Sequence, residues 1–236
     1  MRRGPLLLQC LILALSAAIL VSEAWNFPYP SPLVRPILSP RQRWPEAQIK
    51  EWVERGTYEP GFVAFFMRDP DRNIPPGDNL VSPADGVIKE VVRVADTLYF
   101  VVGLSFWDVH VVRSPLSGTV SDIEEQGLTI FRDRSESADQ VYLKGKAGPV
   151  QKIVSISSPA GEFKVRLITS WWASRIKVSV RIGQHIDKGQ RIGRILLGST
   201  VVVDAPVTTS FIPEVKSRVV AGETVIANLP PGGVTK

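Results

Sequence analysis

The sequence predicts a mainly β protein, of barrel or sandwich type, behind a membrane-associated N-terminal helix. Three observations carry this. From Asn79 onward the chain is a succession of short Val- and Ile-rich runs broken by Gly and Pro: VIKEVVRVA, TLYFVVGL, FKVRLI, RIKVSVRI, RIGRILL and TVVVDAP. The 18 glycines and 19 prolines suit a turn-rich β protein better than a helical bundle. Residues 5–21, PLLLQCLILALSAAILV, form an apolar run behind Arg2 and Arg3.

That run defines a first segment, residues 1–24. As a helix it reaches about 25 Å, slightly short of the roughly 30 Å hydrocarbon core of a bilayer. Two readings compete. Ser22-Glu23-Ala24 offers small residues at the spacing of a signal-peptide cleavage site. Against this, the following WNFPYPSPLVRPILSPRQRWP is rich in aromatics and prolines, as an interfacial segment is, which favours a retained anchor. Arg2 and Arg3 precede the run and Arg35, Arg41, Arg43 and Lys50 follow it, so both flanks are basic and charge sets no orientation. The expected location is the cell membrane, with the body peripheral to it or anchored by this segment.

Residues 25–61 read as a Pro-rich linker and a short helix, PEAQIKEWVERG, with Pro45 at its start and Gly56 at its end. Ile49, Trp52 and Val53 share one face of it. Residues 62–236 form the β body. The phrases SPLSGTVSDI and VRIGQHIDKGQRIGRI have the glycine punctuation of hairpin modules, but no lysine sits where a lipoyl carrier would need one.

Composition narrows the partners. A net charge of +5 favours anionic ones. No zinc-ligand pattern and no aromatic-interleaved basic run is present, which argues against nucleic acid. The single cysteine, Cys10, rules out an intramolecular disulfide and a cysteine metal site, and the two histidines lack metal-ligand spacing, so no metal is expected.

Four places could carry chemistry. His185, in the turn-like GQHIDKG, reads as a solvated loop residue. His110, in FWDVHVVRSP, lies between β-rich runs beside Asp108. Asp85, in LVSPADGVI, carries a tight-turn signature. Gly198-Ser199 falls inside what reads as one continuous strand, where a glycine marks a bulge or a close approach. A strained Gly-Ser peptide is also what N-to-O acyl transfer needs, since the serine oxygen must reach a carbonyl carbon that no side chain shields.

Taken in order, FMRDPDRNIPPGDNLVSPADG, LSFWDVHVVRSPLSGTV, RIGQHIDKGQRIGRILLGST and VVAGETVIANL resemble the phosphatidylserine decarboxylase family, especially its short form, over roughly residues 62–229. The resemblance implies a proenzyme that cuts itself between Gly198 and Ser199. The larger piece becomes a β subunit and residues 199–236 a small α subunit that stays with it, capped by a pyruvoyl cofactor derived from Ser199. It implies decarboxylation of phosphatidylserine to phosphatidylethanolamine through a Schiff base with that group, at a membrane surface. Asp85 matches the family's Asp of the ADG turn and His110 a family histidine, expected to act in proton transfer. Long-form members carry H-x-x-H; here Arg113 stands at the second place, where it is expected to bind the lipid phosphate or the substrate carboxylate, the plainer alternative being a salt bridge. Leu197 replaces the family's usual Phe, and RDRSESADQ at 132–140 and Ser170-Trp171-Trp172 depart from its short-form pattern. These departures keep an alternative in view, a non-catalytic β-sandwich lipid-binding or adaptor module, and the sequence leaves a homo-oligomer open.

Overall fold

The computed structural model describes residues 4–127, 150–169, 175–196 and 199–229. The divergent stretches at 132–140 and 170–172, and Gly198 itself, lie outside the described residues. The chain divides into two compact units, Met1–Val63 and Ala64–Lys236.

The first unit opens with helix α1 (Gly4–Asn26). Its stretch Leu6–Asn26 has a mean hydropathy of 2.2 and is unburied. The helix continues past the apolar run, so its 23 residues span about 35 Å and exceed the bilayer core that the run alone falls short of. A single 3₁₀ turn (Arg35–Ile37) and helix α2 (Pro40–Arg43) follow; Gln42 Oε1 accepts from the Ser39 N–H in a capping box. Helix α3 (Glu46–Arg55) starts after Pro45 and stops at Gly56, whose φ of 68° is the left-handed conformation a glycine adopts without strain. Its apolar face closes a small aromatic cluster: Ile49 is fully buried, and the Trp44 and Trp52 rings lie 5.7 and 5.5 Å from that of Phe62. Phe62 belongs to helix α4 (Pro60–Phe66), through which the chain passes into the second unit.

The second unit is mainly β. Its strands are β1 (Asn79–Val81), β2 (Gly86–Val94), β3 (Thr97–Leu104), β4 (Val111–Arg113), β5 (Gly118–Gly127), β6 (Val150–Ser158), β7 (Gly161–Thr169), β8 (Arg175–Val178), β9 (His185–Ile186), β10 (Arg191–Leu196), β11 (Ser199–Pro206), β12 (Ser210–Phe211), β13 (Arg218–Val219) and β14 (Val225–Asn228). An eight-stranded antiparallel sheet, in the order β13-β2-β3-β11-β7-β6-β5-β9, curls into a half-barrel. Two three-stranded sheets, β4-β10-β8 and β1-β14-β12, accompany it.

Strand alternation builds the core. Phe100 and Val102 of β3, Phe163, Val165 and Leu167 of β7, and Val201, Val203 and Ala205 of β11 enter one cluster with Ile192 and Ile195 of β10. The opposite face of the same sheet buries a second, smaller cluster of Tyr99, Val101, Ile168 and Val202. Strand β11 is therefore buried on both faces, which is why TVVV reads as an unbroken apolar run. Beyond that run, Asp204 turns the same way as Val202 and is held by the Arg166 guanidinium, Nε to Oδ1 at 2.8 Å.

The structure corrects one expectation. RIGRILL and TVVVDAP are not one strand with a glycine bulge inside it. β10 pairs with β4 and β8, whereas β11 pairs with β3 and β7, so the chain changes sheets between Leu196 and Ser199. Periodicity shows that both runs are strands, but a strand's partners are set by contacts far along the chain.

Gly193 lets β10 sit between its two partners. A Cβ there would lie 2.6 Å from the Lys177 carbonyl oxygen of β8 and 3.0 Å from the Leu167 side chain. Gly193→Val is predicted to lower the unfolding free energy by about 1–3 kcal/mol, the usual cost of overpacking. Urea denaturation followed by tryptophan fluorescence would measure it.

Candidate active site

The turn from Ser105 to His110 is organised by a buried carboxylate. Asp108 Oδ2 accepts from the Ser105 N–H at 2.8 Å and from its hydroxyl at 2.6 Å, and Oδ1 accepts from Arg218 Nη2 at 2.5 Å. Burial pushes this carboxyl up, but the donors from Ser105 and Arg218 outweigh it and hold it below the usual range. The turn leaves the Asp108 carbonyl facing the next functional side chain: His110 Nδ1 lies 2.9 Å from it. A carbonyl only accepts, so Nδ1 carries the proton and Nε2 presents a lone pair.

Among the described residues that lone pair has no partner. His110 is fully buried, and its Nε2 is a buried nitrogen without a hydrogen bond. The Phe66 ring packs on the imidazole at a centroid distance of 4.2 Å. Burial lowers the His110 pKa from the ordinary 6.5 to about 4, assisted by the positive charges of Arg68 and Arg194 and opposed by the Asp108 carbonyl and carboxylate. The imidazole is thus neutral at pH 7. Its backbone joins the neighbouring sheet, since the Ile195 N–H donates to the His110 carbonyl at 3.2 Å. His110 is thereby tied to the strand that ends just before the Gly198-Ser199 peptide.

Ser199 is the first residue of β11, in register with Leu104 of β3 on one side and Thr169 of β7 on the other. Its backbone is thus held in the middle of the eight-stranded sheet.

Asp85 and Arg113 are both drawn into ion pairs. Arg72 Nη2 donates to both Asp85 oxygens at 3.0 and 2.9 Å, and the Ala221 N–H donates to Oδ1 at 2.8 Å. The glycine that follows, Gly86, has a φ of 153°, where L side chains are strained. Arg113 Nη1 donates to the Gly189 carbonyl at 3.0 Å, and Nη2 donates to Asp69 Oδ1 and the Pro70 carbonyl, each at 3.0 Å. Asp85 and His110 share no hydrogen bond. His185 is exposed. Among the described residues no cluster of metal-ligating side chains occurs.

Two cations missed in the sequence lie by the histidine. Arg68 caps the end of α4, donating from Nη1 to the Phe65 carbonyl at 2.8 Å and from Nη2 to the Trp107 carbonyl at 2.5 Å. Arg194 of β10 donates from Nη1 to the Met67 carbonyl at 2.8 Å. The phrases FMRDP and RIGRILL contain them, but nothing local in either marks an arginine as near His110.

His110 generates a pH signature. Its folded-state pKa is depressed, so the unfolded chain binds the proton first as pH falls. Stability is predicted to be intact above about 6.5 and to decline between 6.5 and about 4, by roughly 3 kcal/mol from this residue. Denaturation curves of the wild type and His110→Gln across this range measure it; the variant's loss of stability should be smaller by that amount.

Comparison with known proteins places this geometry in context. The family model for phosphatidylserine decarboxylase matches residues 60–227. A phosphatidylserine decarboxylase proenzyme of Symbiobacterium thermophilum is 34% identical over 180 residues, covering 72% of this chain and 80% of the relative. One from Solibacter usitatus is 33% identical over 167 residues, covering 70% and 78%. A putative archaetidylserine decarboxylase proenzyme of Archaeoglobus fulgidus is 34% identical over 164 residues, covering 70% and 76%. No solved structure gives a significant match. The matched span takes in the Asp85 turn, buried His110 and the start of β11, and the chain belongs to the phosphatidylserine decarboxylase family.

Proposed function

We propose that this protein is a proenzyme that cuts itself at Gly198-Ser199 and then decarboxylates phosphatidylserine at a membrane surface. The observation that carries the reading is the neutral, buried and unpartnered Nε2 of His110, on a segment bonded to the strand leading into Ser199. A buried polar atom without a partner is costly in a folded protein and calls for a reason. A proton acceptor kept free for reaction is such a reason.

In this reading the Ser199 hydroxyl attacks the Gly198 carbonyl carbon, the peptide becomes an ester, and elimination across Ser199 releases the Gly198 carboxylate. Hydrolysis of the resulting dehydroalanine gives ammonia and a pyruvoyl group at the head of β11. The residues present fit such a group: the strand ladder of β11 holds its backbone from both sides, and the His110 lone pair gives a proton site on a segment bonded to the strand before it. When present, the pyruvoyl supplies an electron sink for loss of carbon dioxide from a serine amine adduct. His110 moves a proton at Nε2, and its low basicity favours returning that proton quickly. Asp108 orients the imidazole through the turn and the Nδ1–H bond. Asp85, fixed by Arg72 and the Ala221 amide, holds the turn before β2 against the segment before β14.

Both fragments would remain one fold. β11 lies between β3 and β7, β14 pairs with β1, and β13 with β2, so strand ladders join residues before the cut to residues after it. The Arg218–Asp108 and Ala221–Asp85 bonds cross it as well. Helix α1 is long and apolar enough to keep the enzyme at its lipid. The substrates in the relatives' names, phosphatidylserine and archaetidylserine, share a serine headgroup.

Denaturing intact-mass analysis tests the cut. The wild type is expected as two fragments ending at Gly198 and beginning with a pyruvoyl at position 199. Ser199→Ala is expected as one full chain without decarboxylase activity. A wild type that is only full length, or a Ser199→Ala chain that is still cut, contradicts the proposal.

A further inference from the structure

We propose that Arg68 and Arg194 form a cationic clamp for the phosphodiester of the lipid headgroup, beside His110. This rests on the decarboxylase reading above and adds the part of the site that recognises substrate.

The ion pairs around the site set these residues apart from the other arginines there. Arg72, Arg113, Arg166, Arg191 and Arg218 each pair with an aspartate. Among the described residues Arg68 and Arg194 pair with none. Both are half-buried; burial depresses the basicity of each, opposed by the Asp85 and Asp108 carboxylates for Arg68 and by Asp69 for Arg194, none of which forms an ion pair with them. Their hydrogen bonds run to the Phe65, Trp107 and Met67 carbonyls, and Arg194 Nη1 also approaches Met67 Sδ at 3.5 Å. Such contacts aim a guanidinium without neutralising it. A guanidinium carries five N–H donors, so each keeps several for an anion. Arg68 holds the carbonyl of Trp107, three residues before His110, and Arg194 is in register with Val111, the residue after it, which places both beside the proposed reaction centre.

Arg113, the cation singled out in the sequence, differs. It makes three hydrogen bonds, and one of them is to the Asp69 carboxylate that neutralises it. It braces the 69–70 segment against Gly189.

A serine phospholipid offers two anions, and the chemistry chooses between them. The carboxylate leaves as neutral carbon dioxide. A guanidinium held on it would stabilise the ground state more than the transition state and slow the reaction. The phosphodiester keeps its charge throughout, so an arginine clamp on it orients the headgroup at no kinetic cost. Exposed Met67, which precedes Arg68 and whose carbonyl Arg194 holds, gives the acyl end of the lipid an apolar contact.

The test uses the full-length purified protein and glycerophosphoethanolamine, which has the phosphodiester but no carboxylate and no acyl chains. Its binding is measured by calorimetry, and decarboxylation is measured on phosphatidylserine in phosphatidylcholine vesicles. Arg68→Met/Arg194→Met is expected to weaken glycerophosphoethanolamine binding and raise KM about ten- to a hundredfold, with kcat falling less. Arg68→Lys, which keeps the charge but not the fork, is expected to fall between. Formation of both fragments reports that a variant has folded; if the double variant does not cut, the two single variants decide by the same measures. Unchanged binding and KM in the cut variants overturn the clamp, as does a loss of kcat at constant KM. A wild type that binds glycerophosphoethanolamine through these arginines yet releases no carbon dioxide sinks the decarboxylase reading and leaves the clamp standing.

Discussion

The ladder of hydrogen bonds on both sides of β11 is the constraint on which the rest depends. Six residues from Ser199 to Asp204 are in register with β3 and with β7 at once. Val201 and Val203 fill one core and Val202 the other. A strand so placed leaves its sheet only with the fold as a whole, so its first residue has a fixed position whether or not a covalent bond precedes it. A broken chain can therefore still present a defined N-terminal group, as the proposed chemistry requires.

The histidine is fixed from the other side of that junction. Its carbonyl joins β10, its Nδ1–H is spent on the Asp108 carbonyl, and its Nε2 faces no donor. The price in stability of a buried, unsatisfied nitrogen is repaid only if something uses it. Burial also decides its protonation. Desolvation outweighs the Asp108 carbonyl and carboxylate, so the ring is neutral where an exposed one would be partly charged. Asp108 contributes most by geometry, since its side chain closes the turn on Ser105 and takes Arg218 from beyond the proposed cut.

Much of the architecture is legible in the sequence, because alternation and glycine–proline punctuation are local signals. The Val-rich runs and the apolar N-terminal helix are of this kind, and the ordered phrases around Asp85, His110 and Ser199 suffice to identify the family. What was not legible depends on long-range pairing. The chain's change of sheet between Leu196 and Ser199 is invisible to periodicity, because β10 and β11 are both apolar and strand-like. The roles of the arginines are equally hidden. Arg113 drew attention by its place three residues after His110, yet its partners Asp69 and Gly189 come from distant segments. Arg68 and Arg194 are brought near His110 by the Trp107 carbonyl and the β10–β4 pairing, not by sequence spacing.

Ser199 heads a strand locked into the sheet, and the proposed cut leaves it locked there. Amide hydrogen exchange of residues 200–203 in the cleaved protein tests it most directly. Protection close to that of global unfolding, equal to that in the uncut Ser199→Ala chain, is the result this account predicts. Exchange as fast as that of a frayed terminus would contradict it.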